Sequence, residues 1–524
     1  MAVLAPARGA SAHAGLEVSS PSANAVLEVG PATIVLDFNE AVDAELANIE
    51  LYDQTATLIP LGVPESVTDA TVMQASVPTI GDGVYVVVWR VPSDDGHVVN
   101  GVFSFQVGVQ SGVDVGALID KVGGNASASS TVGRLDTAAR LLALIGLVVV
   151  VGGGLMAIQL SGQSADSSSN RMLLCLAWVF LLVGSLGSFG LYGSKVVAGS
   201  ASDAIKPSVW GKVAGSHTAS VLLVRVVLVL AVGVLLVTFA RRAGDVWRGA
   251  ALAISTALVL TYSSIGHANA QHPAPLWIGV DAVHLTAISL WIGGLSMFAF
   301  GTGAWLTDPD AERIVRRFSA TAMVAVPVIV ATGSAQTLKL AGSLDDVTST
   351  SWGRTLLVKI AVVTVLVAVG GVSRWLLRHD GPSALRRTVL VEALIGIAVV
   401  GLAATMVALP PRPVAASKVF TTTLLAQGVI ADVTVTPGRV GENEIHLVIT
   451  PPGGNIAPVV SITAQAELQS AGIGFVPATL RSIGPNHYTG TISLSAAGDW
   501  NLQVTVEPTP GQSVVLSSSV PIPG

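Results

Sequence analysis

The sequence has little cysteine and little charge. A single cysteine, Cys175, stands among 524 residues, which excludes an intramolecular disulfide framework and a cysteine-rich metal site of the zinc-finger type. Charged residues make up 11% of the chain, whereas a soluble protein usually has about a quarter. The 27 Lys and Arg against 33 Asp and Glu give a net charge of −6, without the basic excess typical of nucleic-acid binding. An ordinary soluble enzyme and a nucleic-acid-binding protein are therefore excluded.

Motifs for catalysis and nucleotide binding are also missing. The sequence has no nucleophile-elbow motif and no phosphate-binding glycine loop. We therefore predict that the chain is not an enzyme, and we find no cytoplasmic nucleotide domain in the sequence that would drive transport with ATP.

The hydrophobic residues, 51% of the chain, are concentrated in its middle. Between about Leu135 and Leu409, apolar runs of about 20 residues follow one another, and each can cross a hydrocarbon core ~30 Å thick. The predicted spans are Thr137–Leu160, Met172–Leu191, Ala219–Ala240, Arg248–Gly266, Leu276–Phe300, Ser319–Leu338, Thr355–Val372 and Val389–Leu409. Residues 134–411 are therefore predicted to form a bundle of eight transmembrane helices.

The two flanks have the pattern of β-structure. Residues 13–110 and 414–524 contain short alternating runs, such as Ala32–Phe38 and Glu444–Ile449, broken by Pro and Gly. This pattern predicts a small immunoglobulin-type β-sandwich in each flank. Residues 111–133, rich in Gly, Ser and Ala, and the proline-rich residues 410–413 are predicted to be linkers. The predicted fold class is thus a multidomain membrane protein with a β-sandwich on either side of the eight-helix bundle.

The loops predict the orientation. Lys and Arg in short loops stay on the cytoplasmic side, and the odd-numbered loops carry eleven of them against about five in the even-numbered loops. Both termini and both sandwiches are therefore expected outside the cytoplasmic (inner) membrane. Residues 1–12 end in Ala10-Ser11-Ala12, which fits the cleavage pattern of an export signal; a disordered N-terminal tail is the alternative.

Cleavage after Ala12 would expose a set of metal ligands. The new α-amine of His13 has an ordinary pKa near ~7.7, so it loses its proton readily and can chelate a metal together with the imidazole. Asp95 and His97 lie in an Asp-Gly-His turn. Two imidazoles, an amine and a carboxylate form a nitrogen and oxygen set that suits Cu(II). The alternative is a solvated turn, because Asp-Gly is a common turn dipeptide.

The N-terminal flank resembles the CopC copper-binding domain over most of residues 13–110. The resemblance lies in His13–Leu16, Ser20-Pro21, Val35–Glu40 and Tyr85–Val91, which runs into the Asp-Gly-His turn. It implies that His13, Asp95 and His97 hold Cu(II). The methionine-rich Cu(I) patch of some CopC proteins is missing, since Met73 is the only methionine between Ala2 and Gly133.

The membrane part is similar to CopD, the multi-span partner of CopC, from about Arg134 to Pro411. The matching stretches are Gly266-His267, His284 through Leu295, Arg317–Ser319, Trp352–Lys359 and Arg386 through Glu392. The C-terminal flank resembles the YtkA-like sandwiches. Together the three parts resemble the CopC–CopD fusion proteins of the YcnJ type, which implies a role in copper uptake.

Histidines gather on the predicted outer side of the membrane part. They are His217, His267, His272 and His284, and Asp281 shares a helical face with His284. Ionisable groups in spans are costly and tend to mark ion paths, so the five residues predict a copper relay beneath the outer domain. Two alternatives stay open: His267 and His272 are interfacial loop residues, or two of the histidines hold a b-type haem.

Two further patterns concern a repeat and the C-terminal domain. Arg225 and Lys359 stand in similar apolar surroundings, and Gly153–Met156 resembles Gly293–Met297, which predicts a duplication of four spans. In the C-terminal flank, no recognisable spacing pairs the only histidines, His446 and His487. That pattern favours an accessory module over a second copper site.

The sequence therefore predicts a membrane protein that captures Cu(II) outside the cytoplasm and passes copper inward. Copper resistance by sequestration outside the cytoplasm is one alternative, and a membrane redox protein that reduces copper or carries haem is the other. The expected partners are a copper ion and the lipid membrane, without nucleic acid. An extracytoplasmic copper chaperone or an oxidase-assembly protein is a further candidate partner.

Overall fold

The computed structural model describes residues 14–23, 25–67, 70–93, 96–108, 115–124, 129–159, 168–239, 244–300, 311–341, 344–379, 386–407, 409, 420–436, 438–451 and 458–522. A β-sandwich, a set of membrane helices and a second β-sandwich follow one another along the chain. This order confirms the predicted fold class. The predicted export signal, residues 1–12, and the proline-rich linker lie outside the described residues.

The N-terminal sandwich consists of two sheets. One has the strand order β1-β3-β7-β6 and the other β2-β9-β8-β4-β5. The strands are β1 (Leu16–Ser20), β2 (Val26–Leu27), β3 (Thr33–Phe38), β4 (Asn48–Tyr52), β5 (Leu58–Ile59), β6 (Glu65–Ser66), β7 (Val72–Ser76), β8 (Gly83–Pro92) and β9 (Val98–Val107). Alternate residues of β3 are buried, as expected for a strand with one face on the core. The rings of Phe38 and Trp89 meet edge to face in that core, 5.3 Å apart.

A short helix covers part of the outer face of this sandwich. It spans Val115–Gly123, within the stretch predicted as a linker. Its buried residues Leu118 and Val122 pack on Val84, Val86 and Val88 of β8, so β8 is covered on both faces and all ten of its residues are buried.

A helix lies over each of the eight predicted spans. In chain order the membrane helices are Ser130–Val148 continued by Gly154–Gln159, Ser168–Val196, His217–Val237, Asp245–Ser263, Ala274–Ile288 continued by Gly294–Phe300, Ala311–Leu340, Ser351–His379 and Arg386–Met406. Seven of them are long and apolar enough to cross a membrane. The fourth is not among the seven, because Asp245 and Arg248 at its start and Thr261, Tyr262 and Ser263 at its end leave a shorter apolar stretch.

The first and fifth membrane helices cross at two π-helical turns, Val149–Gly153 and Ser289–Gly293. A Cβ atom on Gly152 would lie 1.7 Å from the carbonyl oxygen of Ser289, and one on Gly293 would lie 2.0 Å from that of Val148. Only glycine permits this approach of two backbones. The two turns adjoin the similar sequences Gly153–Met156 and Gly293–Met297, as expected if the first and fifth helices occupy equivalent places in a duplication.

The C-terminal sandwich also has two sheets, ordered β10-β11-β12-β16-β15 and β14-β13-β17-β18. The strands are β10 (Phe420–Ala426), β11 (Val429–Thr436), β12 (Gly441–Thr450), β13 (Ser461–Leu468), β14 (Ile473–Pro477), β15 (Thr479–Gly484), β16 (His487–Leu494), β17 (Gly498–Thr509) and β18 (Gln512–Ile522). Trp500 is fully buried between the sheets, and its indole nitrogen donates to the carbonyl of Ala496, 2.8 Å away. This domain therefore has a core of its own.

Candidate metal relay between the N-terminal sandwich and the membrane helices

The N-terminal sandwich is docked on one end of the membrane helices. Arg90, at the end of β8, is 8% exposed, and its Nε donates to the carbonyl oxygen of Val196 at 2.8 Å, where the second membrane helix ends. Leu46 and Val98 of the sandwich pack on a cluster that includes Phe189 and Tyr192 of the same helix. Apolar packing and a buried hydrogen bond from a charged group thus hold the two parts together.

The docking places the Asp-Gly-His turn against the membrane part. At Gly96, which has a positive φ of 80°, an added Cβ would lie 2.7 Å from the Ile265 side chain and 3.4 Å from Thr218 Oγ1. A side chain at this position would be strained by its backbone conformation and would push the turn away from the helices. The glycine between Asp95 and His97 therefore permits a close contact between the domains as well as the turn itself.

His97 lies beside His267 in this contact. The two rings are stacked, with 5.8 Å between their centroids and 21° between their planes. Both side chains are half-buried. One histidine of the predicted outer site thus adjoins one histidine of the predicted relay, although they come from different domains.

His13 and Asp95 lie outside the described residues, so the coordination of Cu(II) by His13, Asp95 and His97 stays a prediction. Within the described residues, no group of three or more His, Cys, Asp or Glu side chains is close enough to hold a metal ion.

Below His267, two residues of the fifth membrane helix carry the next polar groups. Asp281 accepts a hydrogen bond from Nε2 of Gln336 at 3.2 Å, and Nδ1 of His284 lies 2.8 Å from Oγ1 of Thr332. Gln336 and Thr332 both belong to the sixth membrane helix, so that helix holds both side chains. Asp281 also interacts electrostatically with His267.

Lys359 of the seventh membrane helix faces the same pair. It interacts electrostatically with both Asp281 and His284. Its charge is opposite to that of an ionised Asp281. Arg225, in contrast, is held by the fourth helix: its Nη2 donates to the Thr261 carbonyl at 2.7 Å, and its guanidinium lies 3.7 Å from the centre of the Tyr262 ring. The structure thus gives the two cations different surroundings.

The remaining relay candidates are less enclosed. His217 is exposed at the start of the third membrane helix, and its Nε2 lies 3.4 Å from the carbonyl oxygen of Ser264. His272 is exposed in the loop before the fifth helix. The structure therefore brings His267, Asp281 and His284 into one region and leaves His217 and His272 at its margin.

An ion-pair network that the sequence did not indicate lies near His97. Asp136 of the first membrane helix is buried and pairs with Lys195 at 2.7 Å and with Arg140 at 3.0 Å. Asp136 also interacts electrostatically with His97. Asp136 and Arg140 are one helical turn apart, but nothing in the sequence indicates that Lys195, from the next helix, joins them.

Comparisons with known proteins give family matches to successive parts of the chain. The CopC domain family matches residues 16–108, the family "Copper resistance protein D-like, N-terminal domain" matches residues 134–275, and "Copper resistance protein D" matches residues 312–406. The copper transport protein CutJ of Bacillus subtilis (strain 168) is 26% identical over 472 residues, which is 86% of this chain and 84% of CutJ. Protein YobA of Escherichia coli (strain K12) is 31% identical over 99 residues, 18% of this chain and 79% of YobA.

Two solved structures are similar to the N-terminal part. CopC from Methylosinus trichosporium OB3b is 29% identical and is covered to 99%, with 19% of this chain matched and a TM-score of 0.18. PcoC, a methionine-rich copper resistance protein from Escherichia coli, is 24% identical and fully covered, with 18% of this chain matched and a TM-score of 0.17. A match to the CopC domain and matches to the two copper resistance protein D families thus occur in one chain, in the order that the resemblance to CopC–CopD fusion proteins predicted.

Proposed function

We propose that the protein captures Cu(II) with its outer domain and passes copper to the membrane helices at the contact between His97 and His267. The observation that carries the proposal is the stacking of these two rings 5.8 Å apart across the domain boundary. Imidazole is a good ligand for copper. An ion held by His97 in the outer domain therefore has a new ligand of the same type next to it.

The next step of the proposed route is the pair Asp281 and His284. These two side chains lie on the fifth helix, further inward than His267, and are positioned by Gln336 and Thr332. Ionisable side chains in a membrane are costly and mark ion pathways. The loops with more Lys and Arg lie at the opposite helix ends, which supports placing both β-domains outside the cytoplasm. The direction of movement in this proposal is accordingly inward.

The test compares copper uptake by cells that produce single-histidine variants in equal amounts. We expect His97→Ala and His267→Ala each to lower uptake by about tenfold or more, because even outer-shell partners of a metal ligand typically contribute 10–100-fold in affinity. His379→Ala is the matched control, because His379 is exposed at the far end of the seventh helix, where its ring lies 4.7 Å from that of Trp375 between centroids, with the planes tilted by 55°. Its uptake should equal that of the wild type.

The two variants also distinguish the capture of Cu(II) from its transfer to the membrane helices. His97→Ala should weaken Cu(II) binding to the purified protein, whereas His267→Ala should leave most of that binding and stop uptake. Wild-type uptake by both variants would overturn the proposed route. Copper capture without uptake by the wild-type protein would establish sequestration instead, and a Soret absorption band in the purified protein would establish the haem-carrying redox alternative.

A further inference from the structure

The two histidines of the C-terminal domain are brought together by strand register. In the antiparallel pair β12 and β16, His446 is opposite Thr489 and His487 is opposite Val448. The two histidines are therefore diagonal neighbours on one face of the sheet. That face is turned away from the core, which is formed by Ile445, Leu447 and Ile449. Their ring centroids are 6.2 Å apart, and the ring planes are inclined by 70°.

The histidine pair opens into a cavity between the two β-sandwiches. The cavity has a volume of ≈ 200 Å³, which is room for an ion and several water molecules. The C-terminal sheet contributes Asp432, Thr434 and both histidines to its wall. The facing wall is formed by the outer surface of the N-terminal sandwich, including Ser104 and Gln106 of β9. The pair is thus neither in a packed core nor on an open surface.

The imidazoles are chemically ready to bind a metal. A neutral imidazole binds a metal ion through the free lone pair of a ring nitrogen, and both side chains line the cavity. Nε2 of His446 is fully buried, and within the part of the chain that the structure describes it has no hydrogen-bond partner. A buried polar atom in this state is costly.

We propose that His446 and His487 form a second copper site, separate from the capture site and the relay, in the cavity between the two β-domains. The proposal rests on the proposed function only in that copper is the metal the chain handles. The two imidazoles are the protein ligands, and water in the cavity completes the coordination. Because the cavity wall includes both sandwiches, the ion would lie between the two outer domains.

The types of ligand favour copper. Two imidazole nitrogens, whose rings are 6.2 Å apart, and water oxygens form a nitrogen and oxygen set that suits Cu(II). Tetragonal coordination by nitrogen and oxygen is typical of Cu(II), and structural zinc is usually tetrahedral.

The experiment counts the copper that the full-length protein retains. Detergent-solubilised wild type, the double variant His446→Gln/His487→Gln and the control Thr434→Val are loaded with Cu(II) in the presence of equimolar Zn(II), desalted and analysed for both metals. Thr434 lines the same cavity and pairs with His446, but it offers no nitrogen ligand. We expect the double variant to lose one copper per chain and the Thr434→Val variant to lose none.

The variant His97→Ala and a check of folding show which site has lost its copper and why. His97→Ala should lose a different copper ion, so the losses should add when it is combined with the double variant. An unchanged copper count in His97→Ala alone would contradict the capture site but not the second site. The double variant should have the same circular dichroism spectrum as the wild type, which shows that its loss of copper does not come from misfolding. Retention of all copper by the double variant, or zinc in place of copper in the wild type, would overturn the proposal.

Discussion

The crossing of the first and fifth membrane helices can be tested with one methyl group. In Gly152→Ala the new Cβ would lie 1.7 Å from the carbonyl oxygen of Ser289, and real Cβ atoms essentially never approach another atom within 3.0 Å. The two helices would have to separate by about 1.3 Å, since a packed interior has no free space for the atom. Overpacking of this kind typically costs about 1–3 kcal/mol. We expect the upper end of that range, because the obstacle is backbone and has no other rotamer.

Gly154→Ala is the matched control, two residues further along the same helix. Nothing lies within 4 Å of a Cβ added at Gly154, and alanine is favoured over glycine in a helix by roughly 0.8–1.0 kcal/mol. The half-life of the detergent-solubilised protein at a fixed elevated temperature measures both effects, because unfolding of such proteins is commonly irreversible. Gly152→Ala should shorten the half-life, and Gly154→Ala should leave it unchanged or lengthen it. Equal half-lives for the two variants would refute the close crossing.

Two other predictions concern the two β-domains. Arg90→Met removes the donor to the Val196 carbonyl, and a hydrogen bond from a charged group contributes roughly 1.5–3 kcal/mol. Backbone hydrogen exchange around His97 should therefore accelerate, whereas Arg134→Met, at an exposed position, should leave it unchanged. Equal exchange rates in the two variants would contradict the docking. Burial lowers the pKa of His446 and His487 below the ordinary value of 6.5. When the pH of the metal-free protein falls below 6.5, the unfolded chain therefore binds more protons than the folded chain, and the C-terminal domain should be destabilised. On acidification, the thermal midpoint should fall less in His446→Gln than in the wild type. An identical fall in the wild type and the variant would refute the effect of burial on the pKa of His446.

The sequence was informative wherever a long pattern determined the structure. An apolar run of about 20 residues can hide its backbone polar groups in lipid only as a helix, so every predicted span is helical. The fourth membrane helix, Asp245–Ser263, is the exception in composition. Both of its ends are polar, so its composition alone does not predict that it crosses the membrane. The sandwiches follow similarly from alternation in strands such as Thr33–Phe38.

Contacts between distant segments were not predictable in this way. The residues of the outer site and of the relay were identified separately by their ligand chemistry, but the stacking of His97 on His267 depends on how two domains dock. The pairing of His446 with His487 likewise depends on the register of β12 against β16. Register is fixed by the burial of alternate residues such as Ile445 and Leu447, and neither the spacing nor the type of the two histidines indicates it.

The charge of Lys359 sets a condition on the last step of the proposed route. An ion that leaves His267 for Asp281 and His284 meets Lys359, which interacts with both. Two like charges close together in a medium of low dielectric repel each other strongly, so the ion and the ammonium group cannot both stay at Asp281. Copper can occupy this position only when Lys359 moves away or loses its proton. In the proposed route, movement of copper past Asp281 is therefore coupled to a displacement of positive charge on the seventh helix.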